Sequence, residues 1–174
     1  MPAIPRPAPG EHAPYYSDYV DQVRGDDALQ HMAAEAERMQ RTLAGLDDAR
    51  AAHRYAEGKW SVKQVVGHVL DGERVFAYRA LAFARGDTGE LPGMDQDAWM
   101  DTAGFDARPI ADLVDELRHV RSGTLSLFRS FSPEACARTG TASGNRFTVR
   151  SLVWITAGHA THHMNVLSRR YGVG

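Results

Sequence analysis

An all-α fold, a four-helix bundle with one long crossover connection, is what the sequence predicts. Four segments repeat apolar residues at spacings of three and four, no segment of any length alternates like a strand, and the connection over residues 86–106 is far longer than a turn. At 174 residues the chain fits one domain with room for a proper core.

Residues 1–14 carry Pro2, Pro5, Pro7, Pro9 and Pro14 and read as a Pro-rich, extended arm with little to order it. Residues 15–174 then form the single bundle domain. Tyr15, Tyr16 and Tyr19 open it, as an anchor for the arm or as an aromatic binding surface.

The first helix is expected from Asp26 to about Leu46, with Leu29, Met32, Ala33, Ala36, Met39, Leu43 and Leu46 on one face. Ser61-Val62-Lys63-Gln64 has the form of a capping box and starts the second, which runs to about Arg85. Its apolar stripe is Val62, Val65, Val66, Val69, Phe76, Ala77, Ala80 and Ala84. The 86–106 connection holds four glycines and one proline, serving as a lid over a pocket or as a plain crossover. Trp99 and Met94 are expected to form its apolar inner face. Pro109 suits a first helical turn, and the third helix continues through Phe131 with Ile110, Leu113, Val114, Leu117, Val120, Leu127 and Phe131 inward. His119, beside Arg118 and Arg121, reads as surface. Ser132 to Phe147 reads as a polar turn.

The last helix spans Thr148 to Tyr171, with a capping hydroxyl at its start and Arg169, Arg170 and Gly172 at its end. It contains His159-Ala160-Thr161-His162-His163. At about 100° per residue, His159 and His163 lie roughly 40° apart and one turn above each other, the spacing with which a helix offers two nitrogens to a metal. A solvated histidine cluster is the bland alternative, but Leu152, Trp154, Ile155, Val166 and Leu167 make the segment too apolar for exposure all round. His68, beside the buried stripe of the second helix, is the candidate for a third ligand. Asp71, one turn further on, is placed to orient a ligand or a bound water.

Composition narrows the function classes. A net charge of -2 with interspersed signs leaves no basic block for nucleic acid. Apolar runs fall short of a membrane span, and the N-terminal residues lack the apolar core of a signal peptide, so a cytoplasmic location is expected. Cys136 is the sole cysteine, which excludes an internal disulfide and a multi-cysteine cage and leaves nitrogen and oxygen as metal ligands.

The segments KWSVKQVVGHVLDGERVFAYR, GMDQDAW and TVRSLVWITAGHATHHMNVL together resemble the DinB-like (DinB/YfiT) superfamily of metal-dependent enzymes, over roughly residues 15–171. The family pattern, one histidine on the second helix and H-x-x-x-H on the fourth, falls on His68, His159 and His163. The resemblance implies a divalent metal held by these three with open positions for water or substrate. Zinc or nickel is the first expectation, and imidazole suits iron and copper as well. It also implies a small-molecule substrate, in some relatives a low-molecular-weight thiol such as bacillithiol or mycothiol, and a homodimer. Close relatives often carry a glutamate after the first histidine of the last helix. Ala160 stands there, so that role does not carry over, and the H-E-x-x-H metalloprotease pattern is likewise absent. The resulting expectation is a small metalloenzyme of the thiol S-transferase or hydrolase type, in which the metal activates water or a thiol and Asp71 and His162 handle protons. Arg74, Arg79 or Arg85 would meet the carboxylates of a thiol. A non-catalytic metal- or ligand-binding stress-response module is the alternative.

Overall fold

The computed structural model describes residues 3–174; Pro2 of the arm lies outside the described residues. Helix α1 (Ser17–Val20) is followed by α2 (Ala28–Leu43), α3 (Asp48–Ala51), α4 (Val62–Ala84), α5 (Gln96–Ala103), α6 (Ile110–Arg129) and α7 (Pro133–Ala137). A hairpin of β1 (Thr139–Ala142) and β2 (Asn145–Thr148) then leads into α8 (Val149–Tyr171). The long helices α2, α4, α6 and α8 form a four-helix bundle. α4 packs on both α8 and α6, and α2 closes the ring by packing on α6 and α8. No helix among the described residues is long and apolar enough to cross a membrane.

Local chemistry fixes the two helices that matter most. Ser61 Oγ accepts from the Gln64 N–H and Gln64 Oε1 accepts from the Ser61 N–H, both at 3.0 Å, completing the capping box of α4. Thr148 and Ser151 do the same for α8, at 3.1 Å each way. The α4 and α8 starts are therefore set by sequence-local bonds, which fixes the register of every later side chain on each helix.

The core divides into two apolar clusters. One gathers Phe83, Phe128, Phe147 and Trp154, and the other Leu70, Leu113, Met164 and Leu167. Between them each long helix contributes a buried polar residue: Glu35, Glu73, Arg121 and His159. His119 is exposed as expected, while its sequence neighbour Arg121 is 2% exposed. Its guanidinium donates to the Glu73 carboxylate at 2.7–3.0 Å and to the Met32 carbonyl at 3.0 Å, which satisfies the charge without water.

Several expectations are corrected. The arm is tied down: Ile4 is buried, and Trp154 Nε1 donates to its carbonyl at 3.1 Å. Arg6 sits 4.3 Å from the centroid of the Trp154 ring and donates to the Val20 and Val23 carbonyls. Glu11 pairs with Arg150 and accepts from Thr148 Oγ1. In the 86–106 connection Trp99 is 44% exposed, and Leu91, Met100 and Phe105 are the buried residues; Asp95 caps α5. Pro109 precedes α6 as its N-cap, and Leu125 and Phe128 take the buried places while Leu127 is half-buried.

The segment read as a polar turn is partly a hairpin, with Gly140 opposite Phe147 and Ala142 opposite Asn145. Ser143 and Gly144 have φ of 52° and 71°, as a two-residue primed turn needs. Leu91 bridges to this hairpin, donating to the Thr141 carbonyl and accepting from the Ser143 N–H. The crossover is thus pinned to the start of α8.

Candidate metal centre

Capped at Ser61, α4 presents His68 to the bundle interior; capped at Thr148, α8 presents His159 and His163 to the same point. One nitrogen from each ring lies within 4.8 Å of the other two. The Nε2 atoms of His68 and His159 are 3.1 Å apart. Two nitrogens bound to one zinc at about 2.0–2.1 Å stand about 3.4 Å apart in a tetrahedral arrangement, so the spacing suits a shared cation.

The donor set fits a divalent ion on a second count. Nδ1 of His68 and Nε2 of His163 are buried without a hydrogen-bond partner among the described residues. Buried ring nitrogens are ordinarily paired, and the unpartnered Nε2 of His163 is available to an ion shared with the facing Nε2 atoms of His68 and His159, whereas Nδ1 of His68 is the other nitrogen of its ring. Burial pushes the His68 pKa down to about 4, and it holds His159 and His163 well below the usual histidine value, with their mutual repulsion adding to the effect. All three rings are therefore neutral at pH 7, which is the ligating form.

The surroundings hold the rings in place. Tyr19 stands edge-on to His159 at 5.3 Å, Phe76 at 5.5 Å, and Trp60 lies 5.0 Å from His68. Gly72 on α4 makes room for His159, since a Cβ there would meet Cε1 of that ring at 2.8 Å. Sequence reading did not single out Gly72; a glycine inside an otherwise helical pattern, one turn from His68, was the available signal.

A cavity of about 280 Å³ opens against His68 and His159. Tyr16, Tyr19, Val75 and Phe76 line it, and Met94 and Gln96 of the crossover reach its wall, as do Arg79 and Ser143. Asp71 is not at this cavity. It lines an adjoining one of about 300 Å³ with Tyr78, Pro92 and Trp99, lies 4.0 Å from Arg74, and has its pKa raised by burial. His162 is half-buried and stands outside the trio, stacked edge-on to Tyr19 at 5.4 Å and to His163 at 5.0 Å. Arg74 pairs with Glu116 and Arg85 is exposed, so of the three arginines considered Arg79 alone faces the cavity beside the histidines.

Fold and site define a helical-bundle protein centred on three converging histidines. The chain belongs to the DinB superfamily, whose model matches residues 9–167. A protein of Oceanobacillus iheyensis assigned provisionally to the metal-dependent hydrolases is 23% identical over 137 residues, covering 78% of this chain and 79% of that one. Among solved structures, YfiT from Bacillus subtilis, described as a probable metal-dependent hydrolase with an unusual four-helix bundle topology, superposes with a TM-score of 0.70 at 18% identity over 97% of this chain and 94% of its own. A mycothiol-dependent maleylpyruvate isomerase superposes with a TM-score of 0.67 at 15% identity, over 84% of this chain and 60% of its own. At these identities the structural likeness establishes the shared fold.

Proposed function

We propose that this protein is a small metalloenzyme in which His68, His159 and His163 hold a divalent ion, zinc or nickel, and that it acts on a small molecule by hydrolysis or by transfer of a thiol. The observation that carries the reading is the convergence of three neutral, buried imidazoles from two helices beside a small-molecule cavity, with Nε2 of His163 lacking any partner among the described residues. A divalent ion so bound supplies Lewis acidity, lowering the pKa of a bound water or thiol and polarising a carbonyl.

The chain's own residues supply the rest. Tyr19 and Phe76 clamp the His159 ring, so the ligand geometry is fixed before substrate arrives. Met94 and Gln96 hold the crossover over the cavity and limit entry of bulk water. Asp71, its pKa raised by burial, is positioned to take a proton from a substrate that extends into the adjoining cavity, and His162 is the second proton-handling group, at the margin of the trio. The names of the relatives support hydrolysis and thiol chemistry about equally.

The test is turnover. Zinc- or nickel-loaded protein, given esters and amides and then a thiol with an electrophile, should consume one class, and His159→Ala should not. A second reading, a non-catalytic binder, is favoured by Ala160 and by the absence of any carboxylate from the metal cluster among the described residues. Stoichiometric metal without histidine-dependent turnover on either panel would establish that reading instead.

A further inference from the structure

We propose that the ligand of this cavity carries a carboxylate and that Arg79 is the residue that binds it. The inference rests on the preceding reading in taking the cavity beside the histidines as the substrate site. Three basic side chains are buried among the described residues: Lys63, Arg79 and Arg121. Lys63 pairs with Asp48 at 2.8 Å and Arg121 with Glu73 at 2.7 Å. Arg79, 3% exposed, has no carboxylate within 4.0 Å among the described residues. Its Nη2 donates to two neutral acceptors, the Pro92 carbonyl at 2.8 Å and Ser143 Oγ at 3.0 Å.

An uncompensated buried cation is costly, and an anionic partner or ligand is what completes it. Burial lowers the Arg79 pKa from its usual value, in keeping with a guanidinium that lacks a counter-charge. Position supplies the rest of the argument. Arg79 lies three turns beyond His68 on α4, about 16 Å along the axis at 1.5 Å per residue. Long helical side chains lean back toward the N-terminus, so the guanidinium points toward the histidines, and one cavity of about 280 Å³ is lined by both.

Two of the five N–H donors of the guanidinium are taken by Pro92 and Ser143, one from the crossover and one from the hairpin turn. These contacts fix the plane of the group without neutralising it. What remains are the Nε–H and Nη1–H donors, held in direction and able to give a carboxylate single charge-assisted hydrogen bonds. Tyr16, Val75, Phe76 and Met94 offer an apolar wall to the body of such a molecule. A carboxylate seated on Arg79 would lay the rest of the molecule toward His68 and His159.

The test uses acetate and benzoate, with acetamide and benzamide as uncharged counterparts of the same shape. Binding is measured by calorimetry on metal-free and zinc-loaded protein, with metal content determined separately by elemental analysis. Both carboxylates should bind the metal-free wild type, benzoate more tightly, and each amide at least tenfold more weakly than its acid. Arg79→Gln should lose tenfold or more in benzoate affinity with its zinc content unchanged, and Arg79→Lys should recover part of that affinity. Equal binding of acid and amide, no binding of either acid by the wild type, or undiminished binding by Arg79→Gln would overturn the proposal. Should Arg79→Gln fail to fold, the Met94 methyl resonance of wild-type protein decides: benzoate should shift it and show a cross-peak to it, and a response confined to other methionines counts against the site. Failure of the protein to take up either zinc or nickel would defeat the metal reading while leaving the benzoate result to stand or fall alone.

Discussion

The Nε2 atoms of His68 and His159 stand 3.1 Å apart although 91 residues separate them in the chain. Two neutral rings that close can share one N–H···N hydrogen bond between the facing nitrogens, and a cation bound by both would take the place of that proton. Replacing either ring by alanine leaves at most two ligands. His68→Ala and His159→Ala should each lose about 100-fold or more in zinc affinity, given that removing even an outer-shell partner typically costs 10–100-fold. Competition titration against a chelating dye measures it, and near-wild-type affinity in both variants would remove the metal centre.

The metal-free protein should weaken as pH falls. His68 has its pKa lowered from 6.5 to about 4 by burial, and His159 and His163 are lowered well below 6.5. Between these values the unfolded chain binds protons that the folded one excludes, so stability is complete above about pH 6.5 and is lost as pH falls toward 4. His68 alone accounts for on the order of 3 kcal/mol across the window. Urea denaturation of chelator-treated protein at neutral pH and near pH 5 should show this loss, and the dependence should flatten in the His68→Gln, His159→Gln double variant.

Gly72 is the backbone position that lets α4 approach the His159 ring. A Cβ would fall 2.8 Å from Cε1, closer than side chains tolerate, so Gly72→Ala must displace the imidazole or spread α4 from α8. Overpacking of this kind costs about 1–3 kcal/mol. Metal affinity should fall together with the melting temperature. Gly123→Ala, on the exposed face of α6 with no neighbour within 4 Å, should instead stabilise by roughly 0.5–1 kcal/mol. If both changes behave alike, helix propensity rather than contact with His159 governs Gly72.

What was legible in the sequence is what local physics determines. The caps at Ser61 and Thr148, the helix spans they open and the i, i+4 placement of His159 and His163 all follow from neighbours within four residues. The hairpin was not legible. Its strands are four residues each, and Gly140 is required there because the Phe83 ring of α4 occupies the place of a Cβ, a contact between residues 57 apart. The burial of Arg121 was not legible for the same reason: nothing near it in sequence announces Glu73 as a partner. The arm misled by composition, since prolines remove N–H donors but leave carbonyls, and Ile4 uses its carbonyl to accept from Trp154. Hydrophobicity alone puts Trp99 inward, and its neighbour Met100 is the residue of α5 that is buried instead.

The Glu73–Arg121 pair should prove the most sensitive structural contact in the bundle. Both side chains are almost wholly buried, 2% and 3% exposed, and they join α4 to α6 while Arg121 also holds the Met32 carbonyl of α2. Removing one partner leaves an uncompensated charge in a layer with no access to water, which typically costs 3–5 kcal/mol. Glu73→Gln preserves shape and one acceptor and should cost less than Glu73→Ala, while Glu73→Leu with Arg121→Met removes both charges and should recover much of the loss. The double-mutant cycle, read from denaturation midpoints, separates the pair from its packing. A Glu73→Ala protein within 1 kcal/mol of wild type would mean that water reaches Arg121 and that the polar layer between the two apolar clusters is not sealed.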